Sequence, residues 1–337
     1  IKIPEIWITM NRGSSKDPIA QGLLSRAEKE LARCGYYEDD LVTVIEINYN
    51  ENPWFIGSGL EVERADDQEH LSTAAYEHKW LGAYSDTVEN AIIEPEWFDA
   101  CIDAHKVLGF KPEGIEVVSF DPFDGGKDAA ALMHRHGSVF VNAKESREGR
   151  VNDCCDWALD YVQEVKPDAF IWDAGGVGAG LKRQITDSLS DKKIDIKMFE
   201  GQAMVDLPDS QYEPTLGNVM QAKTNRQAFL NRRAQRYWHL RDRIFRTYLA
   251  VRDSKYTDPG ELISFSSDIE ILPLLRAEIC RIPRKHNGTG KIQIMSKIEM
   301  RREGIDSPNL GDCGMMSMDI LSIKTAPPKL NFSGWNR

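Results

Sequence analysis

From Ile115 to Met198 the chain runs through an order of elements that few architectures accept. An apolar stretch, VVSFD, ends on Asp121 and gives way to the turn-rich PFDGGKD. Apolar runs over 130–135 and 139–141, split by His136-Gly137, predict a hairpin. Residues 152–165 predict a helix. Asn152 is a capping residue, and Cys155, Ala158, Val162 and Val165 fall on one stripe. A second buried-strand pattern, AFIWD, ends on Asp173, and a helix over 177–189 and a strand over 194–198 follow. Strands followed by helix–strand–helix–strand fold as one mixed sheet, with an antiparallel hairpin joined to parallel strands and helices on both faces.

This is the order of an RNase H-like domain, and an α/β fold of that kind is expected. Acids at the ends of adjacent strands converge on one sheet edge, the usual place for a site in an open α/β sheet. A third acid, Asp312, lies in SPNLGDCGMMSM, one turn into a short C-terminal helix. Hard carboxylate oxygens suit Mg²⁺ or Mn²⁺ over softer metals. Two such cations about 3.5–4 Å apart activate water and neutralise both the attacking and the leaving oxygen in phosphodiester hydrolysis. Asp121, Asp173 and Asp312 are therefore the candidate catalytic and metal-binding residues. The plainer reading of each is a turn or capping acid, and Asp312 stands where a helix dipole favours one. Asp124 and Asp128 are candidates for an additional ligand, or solvated turn residues. Lys127 is a candidate for holding the scissile phosphate, or a plain surface lysine.

Other patterns carry competing readings. Gly175 to Gly180 follows a strand and opens a helix, as a dinucleotide fingerprint does. Its GGxGxG spacing does not match GxGxxG, and Asp173 would repel a cofactor phosphate. No complete Walker A sequence is present, so no ATP hydrolysis is expected of this chain alone. Residues 223–252 are strongly basic, and Arg232, Arg236 and Arg243 recur at spacings compatible with one helical face. That face is read either as gripping DNA phosphates or as the solvated side of a core helix. His134 and His136 share a strand face and read as structural. The adjacent Cys154 and Cys155 read as buried helix surface.

A chain of 337 residues is long enough for two cored domains. Its charge of −11 argues against indiscriminate nucleic-acid binding but leaves room for a local patch. The six cysteines show no metal-finger spacing, and reduced thiols are expected. No apolar run reaches the length of a membrane span, and no membrane partner is expected.

Before Ile115 the pattern is looser. The chain opens IKIPEIWITMN without an initiator Met, as if cut or processed from something longer. Residues 5–10 predict a buried strand, Asp17-Pro18 a helix start, Gly35 its stop, and 41–47 a second strand. A polar helix is expected over 61–78, a joint between domains over 83–94, and one helix from Pro95 to Leu108. Residues 201–218 are expected to form a mobile loop.

At EIWITMN, NYNENPWF, AYEHKWLGAYS, AIIEPEWFDACIDAHKVLG, RHGSV, WDAGGVGAGLKRQ and SPNLGDCGMM, in that order, the chain resembles the large terminase subunit of tailed double-stranded DNA phages. The headful-packaging podovirus type is the most similar. The resemblance implies a partial P-loop-type ATPase remnant and linker over 1–88 and an RNase H-like nuclease domain over 89–337. It implies a metal-dependent endonuclease with a two-metal Mg²⁺ or Mn²⁺ site at Asp121, Asp173 and Asp312, cutting concatemeric double-stranded DNA during packaging. The implied partners are DNA, the small terminase subunit and the portal protein. The implied place is the host cytoplasm, not the mature virion. Thr9 and Asn11 match the segment that couples ATP hydrolysis to movement, although Asn11-Arg12 stands where the family often has Asn-Pro. Gly311 and Gly314 depart from the family pattern and weaken a helix by roughly 0.5–1 kcal/mol each, so Asp312 is expected to be held less firmly. Two rivals remain: a catalytically silent DNA- or portal-binding module of the same fold, and a nucleotide-cofactor enzyme.

Overall fold

In the computed structural model, which describes residues 6–12, 19–70, 73–84, 90–125, 128–212, 223–254 and 256–320, helix α1 (Glu28–Cys34) stops at Gly35. Gly35 takes φ +68°, the left-handed conformation that glycine adopts without a Cβ penalty. Strands β1 (Tyr36–Glu38) and β2 (Thr43–Ile45) form an antiparallel pair with Tyr36 opposite Ile45. Asp17-Pro18 lies outside the described residues.

The buried strand expected over 5–10 does not form among its described residues. Ile6 and Trp7 are 88% and 86% exposed. An extended apolar run needs a neighbouring backbone to pair with, and among the described residues none pairs with it. The polar helix is two, α2 (Gly59–His70) and α3 (Thr73–Leu81), anchored where Tyr49, Phe55 and Trp80 meet in tilted and edge-on ring contacts.

Pro95 opens α4 (Pro95–Cys101) as expected. The expected single helix to Leu108 breaks at Asp103, which takes φ +52° before α5 (Ala104–Leu108). The Asp103 N–H donates to the Phe265 carbonyl at 2.8 Å, so pairing with a distant strand wins over the intrahelical bond.

Strands β3 (Glu116–Asp121), β4 (Ala130–His136), β5 (Val139–Ser146), β6 (Ala169–Asp173), β7 (Asp195–Phe199) and β8 (Ser264–Phe265) form one sheet in the order β7-β6-β3-β4-β5-β8. The β3-β4-β5 part is antiparallel, while β6, β7 and β8 pair in parallel with their neighbours. On one face lie α6 (Val151–Val165) and α7 (Lys182–Leu189), burying Cys154, Cys155, Ala158, Val162 and Ile185. Helix α6 starts one residue before Asn152, and the Asp153 carboxylate accepts the Arg150 N–H at 2.7 Å instead. Helix α7 starts at Lys182, because 176–181 is a 3-10 turn. The other face carries α4, then α9 (Arg232–Asp253), α10 (Leu272–Ile279) and α12 (Asn309–Ser317), while short α8 (Asn225–Ala228) and α11 (Lys297–Arg302) lie between them in sequence.

Every residue of α12 is buried. Small residues permit this. A Cβ on Gly311 would meet Ile282 and Pro308 at 3.2 Å, and one on Gly314 would meet the Met133 sulfur at 3.5 Å. The glycines thus let the helix press onto β3 and β4, and tertiary burial overrides their propensity cost. The described part of the 201–218 loop is tied down, with the Asp206 N–H donating to Gln235 Oε1 at 2.8 Å.

Candidate active site

Parallel pairing of β3 and β6 sets Phe120 against Trp172, so the next residues, Asp121 and Asp173, emerge side by side at the same sheet edge. Helix α12 crosses beneath them and supplies Asp312. Its N-terminus is fixed by Glu278, which accepts the Leu310 N–H at 2.7 Å and the Gly311 N–H at 3.2 Å. Asp312 Oδ1 accepts from the Tyr237 hydroxyl at 2.6 Å and from Arg233 at 3.3 Å, both on α9. Asp312 is firmly held, contrary to the expectation from its flanking glycines.

The ammonium of Lys297, in the first turn of α11, lies 2.7 Å from Asp121 Oδ2 and 2.9 Å from Asp312 Oδ2. Its contact with Asp312 is an ion pair without hydrogen-bond alignment, and that buried oxygen has no hydrogen-bond partner among the described residues. Burial pushes the Asp121 carboxyl up to about 7 despite Lys297, with Asp312 and Asp173 adding repulsion. Asp173 is also raised by burial and by Asp312, against the Gly175 N–H bound at 2.8 Å. Burial works the same way on Asp312, but Lys297 and Arg233 outweigh it and hold that carboxyl low. Lys297 is raised, because its two carboxylates outweigh its burial.

Among the described residues no three acidic, histidine or cysteine side chains are grouped so as to hold a metal ion. Positive charge comes instead from Lys297, seated between two of the acids. The chemistry of the donors still suits a hard divalent cation: Asp173 lies near enough to repel both Asp121 and Asp312, all three offer carboxylate oxygens, and Asp312 Oδ2 is buried without a hydrogen bond among the described residues.

Gly175 to Gly180 closes on Asp173 itself. A Cβ on Gly178 would sit 1.8 Å from the Asp173 carbonyl oxygen, so only glycine fits. Gly178→Ala is expected to cost about 1–3 kcal/mol through forced displacement of that strand end, read as a lower urea midpoint; an unchanged midpoint would contradict the close approach.

The remaining candidates lie elsewhere. Lys127 is outside the described residues. Asp124 accepts the Val151 N–H at 3.3 Å, and Asp128 pairs with Arg301. Arg232 and Arg236 bind Asp319 and Asp206, and Arg243 donates to the Gly260 and Leu262 carbonyls. The guanidiniums of Arg232 and Arg236 are thus spent on internal ion pairs, while Arg243 is engaged through Nη1 alone, and the three are not presented along one outer face. Thr9 and Asn11 are exposed beside a separate cleft of about 480 Å³ lined by Leu31, Val44 and Trp80. His134 and His136 share Glu116, at 3.7 and 3.4 Å, at the far end of β3.

Sequence reading missed Lys297 altogether. Its only local signal is the Ser296–Glu299 capping box, which places it in a first helical turn but cannot aim it at an acid 176 residues away.

Comparison with solved structures fixes the family. The nuclease domain of the large terminase subunit gp2 of bacterial virus Sf6 superposes with a TM-score of 0.64 at 42% identity, covering 68% of this chain and 98% of that one. A lysine-to-alanine variant of that domain, with manganese and β-thujaplicinol, gives 0.64 at 41% identity over the same shares. The variant with calcium gives 0.63 at 41%, again over 68% and 98%. This chain belongs to the large terminase subunits. The mixed sheet of this terminase chain is accordingly the RNase H-like sheet of the terminase nuclease domain. No family model and no curated protein matches the terminase chain. Beside α12 it has an open cleft of about 910 Å³ in which Arg147, Arg281 and Arg301 mix with Asp128, Glu145 and Glu278.

Proposed function

We propose that this chain is the metal-dependent endonuclease of a phage DNA-packaging terminase, cutting concatemeric double-stranded DNA. The observation that carries the reading is the convergence of Asp121, Asp173 and Asp312 around Lys297 at one sheet edge, in a member of this family. Mg²⁺ or Mn²⁺ would be held by these three carboxylates, supplying charge neutralisation and an activated water when bound. Tyr237 and Arg233 orient Asp312, the Gly175 N–H orients Asp173, and burial keeps bulk water from screening the acids.

Residues 1–88 are read as the end of the ATPase domain and linker, with Thr9 and Asn11 as its coupling residues, and 89–337 as the nuclease domain. Small terminase, portal and the host cytoplasm complete the setting by family resemblance. With Arg232 and Arg236 turned inward, the cleft beside α12 is the more natural path for DNA.

Lys297 stands where a bound cation would draw its charge balance. Lys297→Ala is therefore expected to tighten Mn²⁺ binding, because two like charges no longer compete for Asp121 and Asp312. Calorimetric titration of both proteins with Mn²⁺ checks this. Absence of Mn²⁺ binding in either protein would sink the metal reading, and equal affinity would show that Lys297 does not compete.

A further inference from the structure

At the end of the sheet opposite Asp121 lies a separate cleft of about 490 Å³, between the loop before β3, the β4–β5 turn and Pro259-Gly260. Three cations line it, Lys111, Arg135 and Arg243, against one carboxylate, Glu113. Arg135 is only 2% exposed. It is fixed by the C-terminal end of α12, donating to the Ser317 carbonyl at 2.9 Å and the Ile320 carbonyl at 2.5 Å, with further bonds to Ser317 Oγ and the Gly137 carbonyl.

Helix-end carbonyls offset part of a positive charge, but not two. Among the described residues neither Arg135 nor Arg243 has a carboxylate within 4.0 Å. Burial and the neighbouring Arg243 push Arg135 below the ordinary guanidinium range. Burial and Arg246 push Arg243 down as well, with Glu261 and Asp258 only partly offsetting them. Among the described residues only Nη1 of Arg243 is engaged, by the Gly260 and Leu262 carbonyls, which leaves Nε and Nη2 as donors. Exposed Lys111 has no hydrogen-bond or ion-pair partner among the described residues. Buried charge without a counter-charge is costly, and a protein interior normally pairs it.

We propose that this cleft is an oxyanion site that takes the phosphate group of a small phosphorylated molecule between Arg243 and Lys111, with Arg135 behind them. The volume falls within the range of about 300–1,000 Å³ typical of small-molecule sites. Strand β3 separates the cleft from the acids by roughly 20 Å, at about 3.3 Å per residue. Arg135 is recessed, where a duplex backbone does not reach. The site is thus distinct from the nuclease centre, and phosphate in it does not act on the acids.

Calorimetric titration of the full chain with inorganic phosphate and with a nucleoside monophosphate tests this, at constant ionic strength set by chloride. One saturable event is expected, weakened about tenfold or more in Arg243→Gln, the loss of one charge-assisted hydrogen bond. Lys111→Gln is expected to weaken it several-fold. Being exposed, that variant keeps the test readable should Arg243→Gln alter folding. Excess duplex DNA without divalent metal should leave binding unchanged. The proposal is overturned by absence of a saturable event, by equal binding in both variants, or by displacement with duplex, which would assign these cations to DNA.

Discussion

Asp121→Asn and Asp173→Asn are each expected to lower Mn²⁺-dependent cleavage of plasmid DNA by more than about a hundredfold while the fold survives. Loss of a mere outer-shell partner of a metal costs about 10–100-fold, and an amide in place of a ligating carboxylate removes the charge itself. Both side chains are isosteric with their replacements and sit at strand ends, so the sheet register is unaffected. Asp312→Asn differs. Partly buried Arg233 and Lys297 both face that carboxylate, and Tyr237 donates to it. Neutralising it leaves two cations with less counter-charge, so stability should fall together with activity. Cleavage rates at fixed Mn²⁺, beside thermal melts of each variant, check these outcomes. Near-native rates in the Asp121 or Asp173 variant would remove those residues from the metal site.

Arg236→Ala is expected to destabilise the protein by about 3 kcal/mol, the lower end of the cost of breaking a buried ion pair, because Arg232 still faces Asp319. The side chains of Arg236 and Asp319 are only 9% and 5% exposed, and Arg236 Nε reaches Asp319 Oδ1 at 2.6 Å. The contact with Asp206 contributes less, since that carboxylate is about a third exposed and is screened by solvent. The melting temperature should drop by roughly 6–12 °C, at about 2–4 °C per kcal/mol for a domain of this size. Duplex affinity and its salt dependence should not change beyond the loss of folded protein. A native melt combined with a salt slope flattened by about 0.9 per lost phosphate contact would return this helix to the DNA interface.

Much of this was legible in the sequence, for a physical reason. Strands β3 and β6 are buried on both faces and read as near-continuous apolar runs, so the acids at their ends could be placed directly. Lys297 could not be placed, because its role depends on two acids that only the folded chain brings to it. The arginines of α9 were countable but not directional. Spacing shows which residues share a face, whereas Asp206 and Asp319, distant in sequence, determine that the face turns inward. Gly311 and Gly314 misled in the same way: propensity reads them as weakness, and packing uses them as clearance. The two-residue strand β8 is too short to announce itself, yet its carbonyl at Phe265 is what breaks the helix at Asp103.

Incubating supercoiled plasmid with the purified 337-residue chain, with Mn²⁺ and with Mn²⁺ plus excess EDTA, tests the central claim most directly. Nicked and linear products that need Mn²⁺, vanish with EDTA and return on adding back the metal are the expected result. Duplex binding without any metal-dependent cleavage would contradict it, and would leave Asp121, Asp173 and Asp312 as a buried acidic cluster neutralised by Lys297 and Arg233.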